Sequence, residues 1–568
     1  MSIDDRPVLT TAARSLGRWP ARGARPRHDD LVAAARDLVG GLVEHPWGQV
    51  SPSVYETGRL VTFAPWLSGH DRRIAHLLET QRPDGTWGAP DDGYALVPTL
   101  SAVEALLSQL TGANQAGRGG GAIGSGWLVR SADLGLRAVS ARMCGPAASS
   151  IDLPDLPAIE LIAPALTERI NASLGRLRDR PVPGLGAWAG RELGPPAGMD
   201  GAKLEFVRAL LESGADVPQK LMHALEIAGE RAAGLPRLVP ERTGTIGASP
   251  AAAAAWLGAR EPDDPSNPAR WYLEAVVAQH GGPVPCGFPL TVFERGWVLA
   301  WLARAGVPVA VPPRLVLSLT APLGPAGTPA ADGLPADADT TAGALYALAL
   351  LGAPHRPDPL YAYELDTHFC TWQGEDGASI TTNAHVLEAF GQYLRSTPGR
   401  DADVGRYAAT AAKTAGWLRG EQRADGSWSD RWHASPHYAT ACSAIALAGF
   451  GGTESAAAVD AARRWVFDTQ RPDGSWGRWE GTAEETAYAV QLLLLTGTKP
   501  DLDVQEAVAQ AVPALLGSLT SADDGDGDGP ALWHDKDLYR PSAVVRAAVL
   551  AALYLARTAS AMRPAAGP

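Results

Sequence analysis

Two acidic side chains stand directly before an apolar run in the segment GLPADADTTAGALYALALLG (Gly333–Gly352). Asp337 and Asp339 are separated by one alanine, and Thr340 and Thr341 follow them. The apolar residues recur at helical spacing, so the pattern predicts that this acid box begins a helix. An aspartate there either caps the helix or is an acid held where a substrate can reach it. Burial keeps a carboxyl group protonated, and a helix N-terminus favours the anion left when the proton departs.

A repeated Gln–Trp loop sets the framework in which this box must sit. Its near-copies are QRPDGTWG (Gln81–Gly88), QRADGSW (Gln422–Trp428) and QRPDGSWG (Gln470–Gly477). A period near 50 residues, marked by Asp-Gly pairs, indicates a repeat architecture. Asp-Gly suits a tight turn, and we expect each tryptophan to stack beside the glutamine amide of a neighbouring repeat. Alanine-rich helical runs separate the copies, so the fold is predicted to be all-α, with units that stack or close into a ring.

Composition narrows the classes of function. The chain has 568 residues, which suggests two large domains. Its net charge of −13 argues against a nucleic-acid partner, and the absence of an 18-residue apolar run argues against a membrane span. The four cysteines form no CxxC pair, so a disulfide framework or zinc site is not expected and a cytoplasmic location is. Residues 1–28 and 559–568 are expected to be loose tails.

Together, the loops and the acid box resemble the class II terpene cyclases, the group of squalene–hopene cyclases, copalyl diphosphate synthases and bacterial class II diterpene cyclases. Seven segments, the acid box among them, look like family segments and occur in the family's order. They are SPSVYETGRL (Ser51–Leu60), KLMHALE (Lys220–Glu226), GASPAAAAAWL (Gly247–Leu257), FPLTVFERGWVLAWLARAG (Phe288–Gly306), DADTTAGAL (Asp337–Leu345), SITTNAHVLEAF (Ser379–Phe390) and WHDKDLYRPSAVV (Trp533–Val545).

The resemblance implies two α/α-barrel (toroid) domains, called β and γ, with the γ domain inserted into the β domain. Residues 29–45 would form the first helix of the β domain, 46–289 the γ domain, and 290–558 the rest of the β domain. The substrate cavity would lie between the two barrels. No DDxxD motif of a class I domain is found on a helix, so the diphosphate is expected to survive into the product.

The family reaction begins when an acid protonates a terminal alkene, which is a very weak base. By resemblance, Asp339 is the general acid and Asp337 orients it, while Thr340 replaces the last acid of the common DxDD form. Thr340 and Thr341 could donate hydrogen bonds. The segment SITTNAHVLEAF resembles the family segment that faces the acid, so Thr381 and His385 would contact Asp339, with Asn383 as a second choice. His385 would relay a proton.

The remaining site residues follow from what a carbocation and a diphosphate need. Aromatic faces steer a cation without a nucleophilic lone pair, and lysine and arginine bind phosphate. Mg²⁺ prefers hard oxygen ligands. The aromatic candidates are Phe369, Trp372, Trp432, Tyr438, Tyr488 and Trp533; the diphosphate candidates are Lys220, Lys536 and Arg540; and the Mg²⁺ candidates, in a segment similar to the family's acidic one, are Asp152, Asp155 and Glu160.

The expected reaction is therefore cyclisation of a linear prenyl diphosphate, with geranylgeranyl diphosphate as the first choice of substrate and a copalyl-, labdane- or halimadienyl-type bicyclic diphosphate as product. Farnesyl diphosphate, giving drimenyl diphosphate, is the runner-up, and a triterpene cyclase is third. A class I terpene synthase or a phosphatase would act on the product downstream. From other classes, a non-catalytic helical scaffold and a protein prenyltransferase-like subunit remain, although the latter needs a Cys–His zinc cluster that the sequence lacks. The sequence leaves the oligomeric state open.

Overall fold

A computed structural model describes residues 27–112, 124–144, 151–262, 264–375, 377–399, 402–497, 502–521 and 529–561. Nearly all of the predicted tails (1–28 and 559–568) therefore lie outside the described residues. The first half contains α1 (His28–Glu44), α2 (Val54–Phe63), α3 (His70–Glu79), α4 (Asp92–Leu110), α5 (Ser125–Cys144), α6 (Ile159–Asp179), α7 (Ala202–Glu212), α8 (Gln219–Met222), α9 (Pro250–Leu257) and α10 (Pro268–His280), with 3₁₀ segments at Gly186–Trp188 and Leu225–Ala232.

The second half is also helical and carries one short hairpin. Its helices are α11 (Val292–Arg304), α12 (Pro313–Thr320), α13 (Ala338–Leu350), α14 (Ile380–Ser396), α15 (Val404–Gly420), α16 (Pro436–Phe450), α17 (Ala456–Asp468), α18 (Ala483–Leu495), α19 (Leu502–Ser521) and α20 (Ser542–Ala561), with 3₁₀ segments at Asp358–Tyr363 and Thr453–Ser455. Strands β1 (Trp533–His534) and β2 (Leu538–Tyr539) pair antiparallel.

The helices of the second half close into a barrel. An inner ring runs α11–α13–α14–α16–α18–α20 and returns to α11, because each helix packs on the next. These inner helices are apolar on nearly every side, as fully surrounded helices must be. Outside them lie α12, α15, α17 and α19, and α1 joins this outer layer by packing on α20 and α11. The first described helix thus belongs structurally to the C-terminal barrel.

A second, smaller ring is formed by the intervening residues. Helices α2, α4 and α6, the 3₁₀ segment Leu225–Ala232 and α9 each contact the next, and α9 returns to α2. Helices α3, α5, α7 and α10 pack outside. The fold is therefore all-α with two α/α barrels, as predicted from the sequence.

The Gln–Trp loops fasten neighbouring helices by a different contact from the expected stacking. In the loop at Gln470, the glutamine amide donates to Gly474 O of its own turn and to Ala507 O of α19 (both 3.0 Å). The Trp476 ring is buried and donates to Val466 O (2.7 Å). Gly474 has φ +84°, and a Cβ there would lie 2.3 Å from the carbonyl oxygen of Gln510. Only glycine fits this close approach.

Helix α20 is the one described helix long and apolar enough to cross a membrane, with a mean hydropathy of 1.4. Most of it is buried inside the protein, where it packs against α18, α11 and α1. Its apolar composition therefore reflects its place in the inner ring of the barrel.

Candidate active site

A cavity of about 910 Å³ opens between the two barrels. This volume is near the upper end of the range for small-molecule sites. Both barrels contribute to its wall, and the acid box lies on it. Lining residues from the smaller barrel include Asp155, Glu160, Lys220 and His223, and those from the larger one include Phe293, Asp337, Asp339, Thr340, Thr381, Trp372, Arg431, Trp432, Tyr438, Trp533, Asp535 and Tyr539.

The two aspartates of the box have different tasks. Asp337 is the N-cap of α13, and Oδ1 of its carboxyl group accepts a hydrogen bond from the Thr340 amide (2.6 Å). Thr341 donates to the Asp337 carbonyl (2.5 Å) and accepts from the Thr328 amide (2.9 Å), so its hydroxyl fixes the turn. Asp339 lies in the first turn, free of the capping task, with its carboxyl directed at α14.

Asp339 is paired with His385. The Nδ1 atom of His385 lies 2.8 Å from Oδ1 of Asp339, and α13 and α14 pack closely along their length. The predicted contact of His385 with the acid is therefore present. Thr381 instead donates to Asp430 (2.8 Å), and Asn383 bonds to the backbone of Phe369 on both sides (2.9 Å each). These two residues support the loops beside the acid, so the prediction that they contact it is wrong.

Burial and the charge of Asp339 shift the pKa values of the groups around it. Burial raises the pKa of Asp337 to about 8, and the negative charge of Asp339 adds to the rise. Burial alone would lower the pKa of His385, but the charge and hydrogen bond of Asp339 raise it well above its usual value. Asp337 therefore holds a proton at neutral pH, and Asp339 favours the protonated form of His385.

Aromatic rings form the wall next to this acid. Tyr438 packs on Trp533 (ring centroids 4.7 Å apart) and lies near His385 (6.4 Å), while Trp372 and Trp432 meet edge to face at 5.1 Å. These four predicted aromatic residues line the cavity.

Two other predicted aromatic residues do not line the cavity. Phe369 is buried against Phe390, and Tyr488 lies behind Tyr438 and donates to Glu484 (2.8 Å). Both belong to the core, and the prediction that they contact the substrate is wrong. Conversely, Phe293 and Tyr539 were missed and line the wall.

Comparison with known proteins agrees with this geometry. The family described as squalene-hopene cyclase C-terminal domain matches residues 375–512. An ent-copalyl diphosphate synthase of Streptomyces sp. (strain KO-3988) is 42% identical over 92% of this chain and 96% of its own length. A copalyl diphosphate synthase of Streptomyces cyslabdanicus is 41% identical over 94% of this chain and 98% of its own length. The structure of ent-copalyl diphosphate synthase from Streptomyces platensis superposes with a TM-score of 0.85 and 46% identity, covering 93% of this chain and 99% of that one.

The chain belongs to the class II terpene cyclases. It is an enzyme, and Asp339 lies on the wall of its interbarrel cavity with His385 as hydrogen-bond partner.

The cyclase places its basic residues differently from the prediction. Lys220 is exposed at the cavity wall, with its ammonium 4.8 Å from the Trp372 ring centre. Lys536 is fully buried between the barrels and bonds to Glu56 (2.6 Å) and Glu226 (2.9 Å). The prediction that Lys536 binds diphosphate is therefore wrong, because its charge is already neutralised inside the protein.

Two arginines complete this correction. Arg540 lies outside the cavity lining, and its charge lowers the pKa of the buried Glu484. Arg431, which sequence reasoning missed, lines the cavity and bridges the two barrels through Asp155 (2.5 Å). The sequence signal that could have identified Arg431 is its position directly after Asp430, at the end of the Gln–Trp loop that begins at Gln422.

The predicted magnesium ligands are only partly together. Asp155 and Glu160 line the cavity, whereas Asp152 is exposed outside it. Asp155 pairs with Arg431, and Glu160 lies 3.7 Å from Lys203. Among the described residues, no group of three His, Cys, Asp or Glu is arranged to hold a metal ion. Two carboxylates fit the sort of Mg²⁺ site that substrate phosphates complete.

A second charged pair on the wall was also missed. His223 Nε2 lies 2.7 Å from Asp535 Oδ1, and Nδ1 of the same ring lies 2.6 Å from the Gly247 carbonyl oxygen. Since Nδ1 must donate to that carbonyl, Nε2 faces Asp535 as the donor of an imidazolium. Burial would raise the pKa of Asp535, but the charge of His223 lowers it. Asp535 is therefore an anion in the cavity wall. The segments that contain His223 and Asp535 were quoted for their resemblance to the family, but neither residue was predicted to be in the site.

Proposed function

We propose that this enzyme cyclises geranylgeranyl diphosphate, after protonating its terminal alkene, to a copalyl-type bicyclic diphosphate that keeps its diphosphate group. The observation that carries the proposal is that Asp339, on the wall of the interbarrel cavity, is paired with the buried His385. The names of the similar Streptomyces proteins support a C20 substrate. A labda-7,13-dienyl diphosphate synthase of Streptomyces clavuligerus, 38% identical over 93% of this chain, leaves the double-bond position open.

The acid becomes able to react when the substrate fills the cavity. Before substrate binds, Nδ1 of His385 donates a hydrogen bond to Asp339. An apolar chain displaces water, and desolvation disfavours charged forms. The proton then moves from Nδ1 of His385 to Asp339, which gives a neutral carboxylic acid and a neutral imidazole. Asp339 delivers that proton to the alkene, and the first-turn position on α13 together with His385 stabilises the anion that remains.

The polar end of the substrate would lie at the mouth. Lys220, which is exposed at the cavity wall, offers a point charge to the diphosphate. Mg²⁺, if held there by Asp155, Glu160 and the phosphate oxygens, would neutralise diphosphate charge. The chain's own residues fix the substrate's direction, with its charged end at the mouth and its terminal alkene at Asp339.

Asp535 is the group that we assign to the closing deprotonation. It is an ionised carboxylate in the cavity wall, fixed by His223 and by the Lys536 amide (2.6 Å). A carboxylate can take the proton from the final cation, either directly or through one water molecule. The cavity needs such a base because the ring-closed cation otherwise persists or captures water.

The direct test of the proposed function is incubation with C15 and C20 prenyl diphosphates and Mg²⁺, followed by phosphatase treatment and mass spectrometry. The expected result is a bicyclic C20 alcohol. A bicyclic product from the C15 substrate alone would replace our substrate by farnesyl diphosphate. If neither substrate gives a cyclic alcohol, the proposal is wrong.

Exchanging Asp535 for asparagine should lower the rate of formation of the native olefin by about 100-fold and shift the product towards other double-bond isomers. Asparagine keeps the shape and accepts the His223 hydrogen bond, but it is not a base. Chiral gas chromatography of the dephosphorylated products measures the change. The matched control is Asp537→Asn, because Asp537 is buried two residues away and bonds to Ser53 (2.7 Å) outside the lining. An unchanged product profile in Asp535→Asn would rule out the assigned base.

The activity should also depend on pH through Asp337. Its pKa of about 8 means that the group is protonated below that pH and ionised above it. Ionisation would put a second negative charge beside Asp339 and disfavour release of the catalytic proton. We therefore expect kcat/KM to be level near neutral pH and to fall as the pH rises above about 8. Asp337→Asn should remove this inflection, because asparagine also caps a helix and cannot ionise. A profile in which the variant keeps the same inflection would contradict this origin.

A further inference from the structure

One buried carboxylate stands behind the aromatic wall of the cavity and takes no part in the steps above. Glu484 lies in the first turn of α18 and is 3% exposed. Its Oε1 atom accepts from the indole N–H of Trp533 (2.7 Å) and from the Tyr488 hydroxyl (2.8 Å). Trp533 lines the cavity, whereas Glu484 does not. The carboxylate is therefore one ring away from the substrate.

Glu484 is ionised in this position. Nδ1 of the nearby His433 lies 3.1 Å from the Ser435 amide nitrogen and 3.3 Å from the Ser435 carbonyl oxygen. The shorter contact is with the amide, which donates, so Nδ1 is the acceptor. Because Nδ1 accepts, Nε2 carries the hydrogen that is donated to Glu484 (3.3 Å). Burial would raise the pKa of Glu484, but His433 lowers it, followed by the charge of Arg540. The start of a helix also favours an anion.

The wall in front of this charge lies next to the acid. Trp533 packs on Tyr438, and Tyr438 lies near His385, the partner of Asp339. The first carbocation forms beside the carbon that receives the Asp339 proton. That cation consequently develops over Tyr438 and Trp533, whose faces attract it through their quadrupoles.

We propose that Glu484 is a positioning residue that acts through Trp533. Its negative charge stabilises the carbocation, and the indole ring between them prevents direct contact. A carboxylate in direct contact would take a proton from the cation or bond to it and end the cascade early. Behind an indole ring it can do neither, yet its field still reaches the cavity. At roughly 7 Å and an effective dielectric constant of about 20, one negative charge favours a cation by a factor of roughly ten to fifty, and Arg540 offsets part of this.

The test compares two unreactive ligands in the wild type, Glu484→Gln and Glu485→Gln. Both are thiolodiphosphates that lack the terminal alkene, so Asp339 cannot start the cascade: one is 14,15-dihydrogeranylgeranyl thiolodiphosphate, and the other carries a protonated amine in place of the carbon that becomes the first cation. Glutamine keeps an acceptor oxygen for Trp533 and Tyr488 and removes only the charge. Glu485 is the matched control, since it is equally buried on α18 but bonds to the Arg478 amide (2.7 Å) and to Thr482.

Calorimetry gives the dissociation constant of each ligand, and their ratio is the preference for the amine over the ligand without an amine. This preference should be about tenfold smaller in Glu484→Gln than in the wild type and in Glu485→Gln. In turnover, Glu484→Gln should lower kcat and leave KM unchanged. The inference rests on the proposed cyclisation, and the two can fail separately. If the wild type forms the bicyclic product and Glu484→Gln keeps the full amine preference, this inference alone is overturned. If the wild type forms no cyclic product, the proposed function fails and this inference fails with it.

Discussion

Asp339→Asn should lose at least about 10³-fold in the rate of bicyclic product formation and remain folded. An alkene is a very weak base, so only a proton donor as strong as a carboxylic acid, held dry and in place, can protonate it. The amide of asparagine is not such an acid. The fold should survive because Asp337, and not Asp339, is the N-cap of α13. Product is measured by mass spectrometry after dephosphorylation, and folding by circular dichroism and thermal unfolding.

Asp337→Asn serves as the matched control for this result. It removes the neighbouring acid and keeps the cap hydrogen bond from the Thr340 amide, which an asparagine side chain also accepts. We expect it to retain measurable turnover at neutral pH, because the proton donor is still present. If Asp339→Asn kept activity within tenfold of the wild type while Asp337→Asn lost it, the roles of the two aspartates would be reversed.

The sequence contained enough local information for the fold and for the acid. Tight-turn chemistry is local, so the repeated Asp-Gly within the Gln–Trp loops identified a helical repeat protein before any contact was known. The acid box was equally legible, since a capping residue followed by an apolar run places Asp337 and Asp339 at a helix start. The Asp339–His385 contact spans 46 residues, and it was reached only because both segments resemble family segments.

Direction of side chains was the part that the sequence could not provide. Asn383 and His385 lie two positions apart on one helix, yet one faces a loop and the other the acid. The same holds within the β1–β2 hairpin, where Asp535 lines the cavity and Lys536 points into the interface of the barrels. Asp535 and Lys536 lie in the turn between the two strands, where no repeating pattern in the sequence fixes the direction of a side chain, so a charged run there looks like a surface. This is why Lys536 was predicted to bind phosphate and Asp535 was overlooked.

Lys536 carries the second large expected effect, on stability. Its ammonium is fully buried and contacts Glu56 (2.6 Å), Glu226 (2.9 Å) and the hydroxyl of Ser249 (2.7 Å). Lys536→Met would leave two carboxylates buried in the interface with no cation between them. Removing one partner of a buried charge pair costs about 3–5 kcal/mol, so we expect the free energy of unfolding in urea to fall by that amount. The loss should be seen with or without substrate.

Lys220→Met separates this structural task from phosphate binding. Lys220 is exposed at the cavity wall, so its loss should change the free energy of unfolding by less than about 0.5 kcal/mol and raise KM for the diphosphate substrate. Lys536→Met is thus expected to lower stability, whereas Lys220→Met is expected to raise KM. The reverse pattern, with a stable Lys536→Met that binds substrate poorly, would restore Lys536 as the phosphate ligand. The buried triad is the better explanation because a lysine already paired with two glutamates has little charge left to offer a diphosphate, and drawing it towards one would leave both carboxylates unpaired at the interface of the barrels.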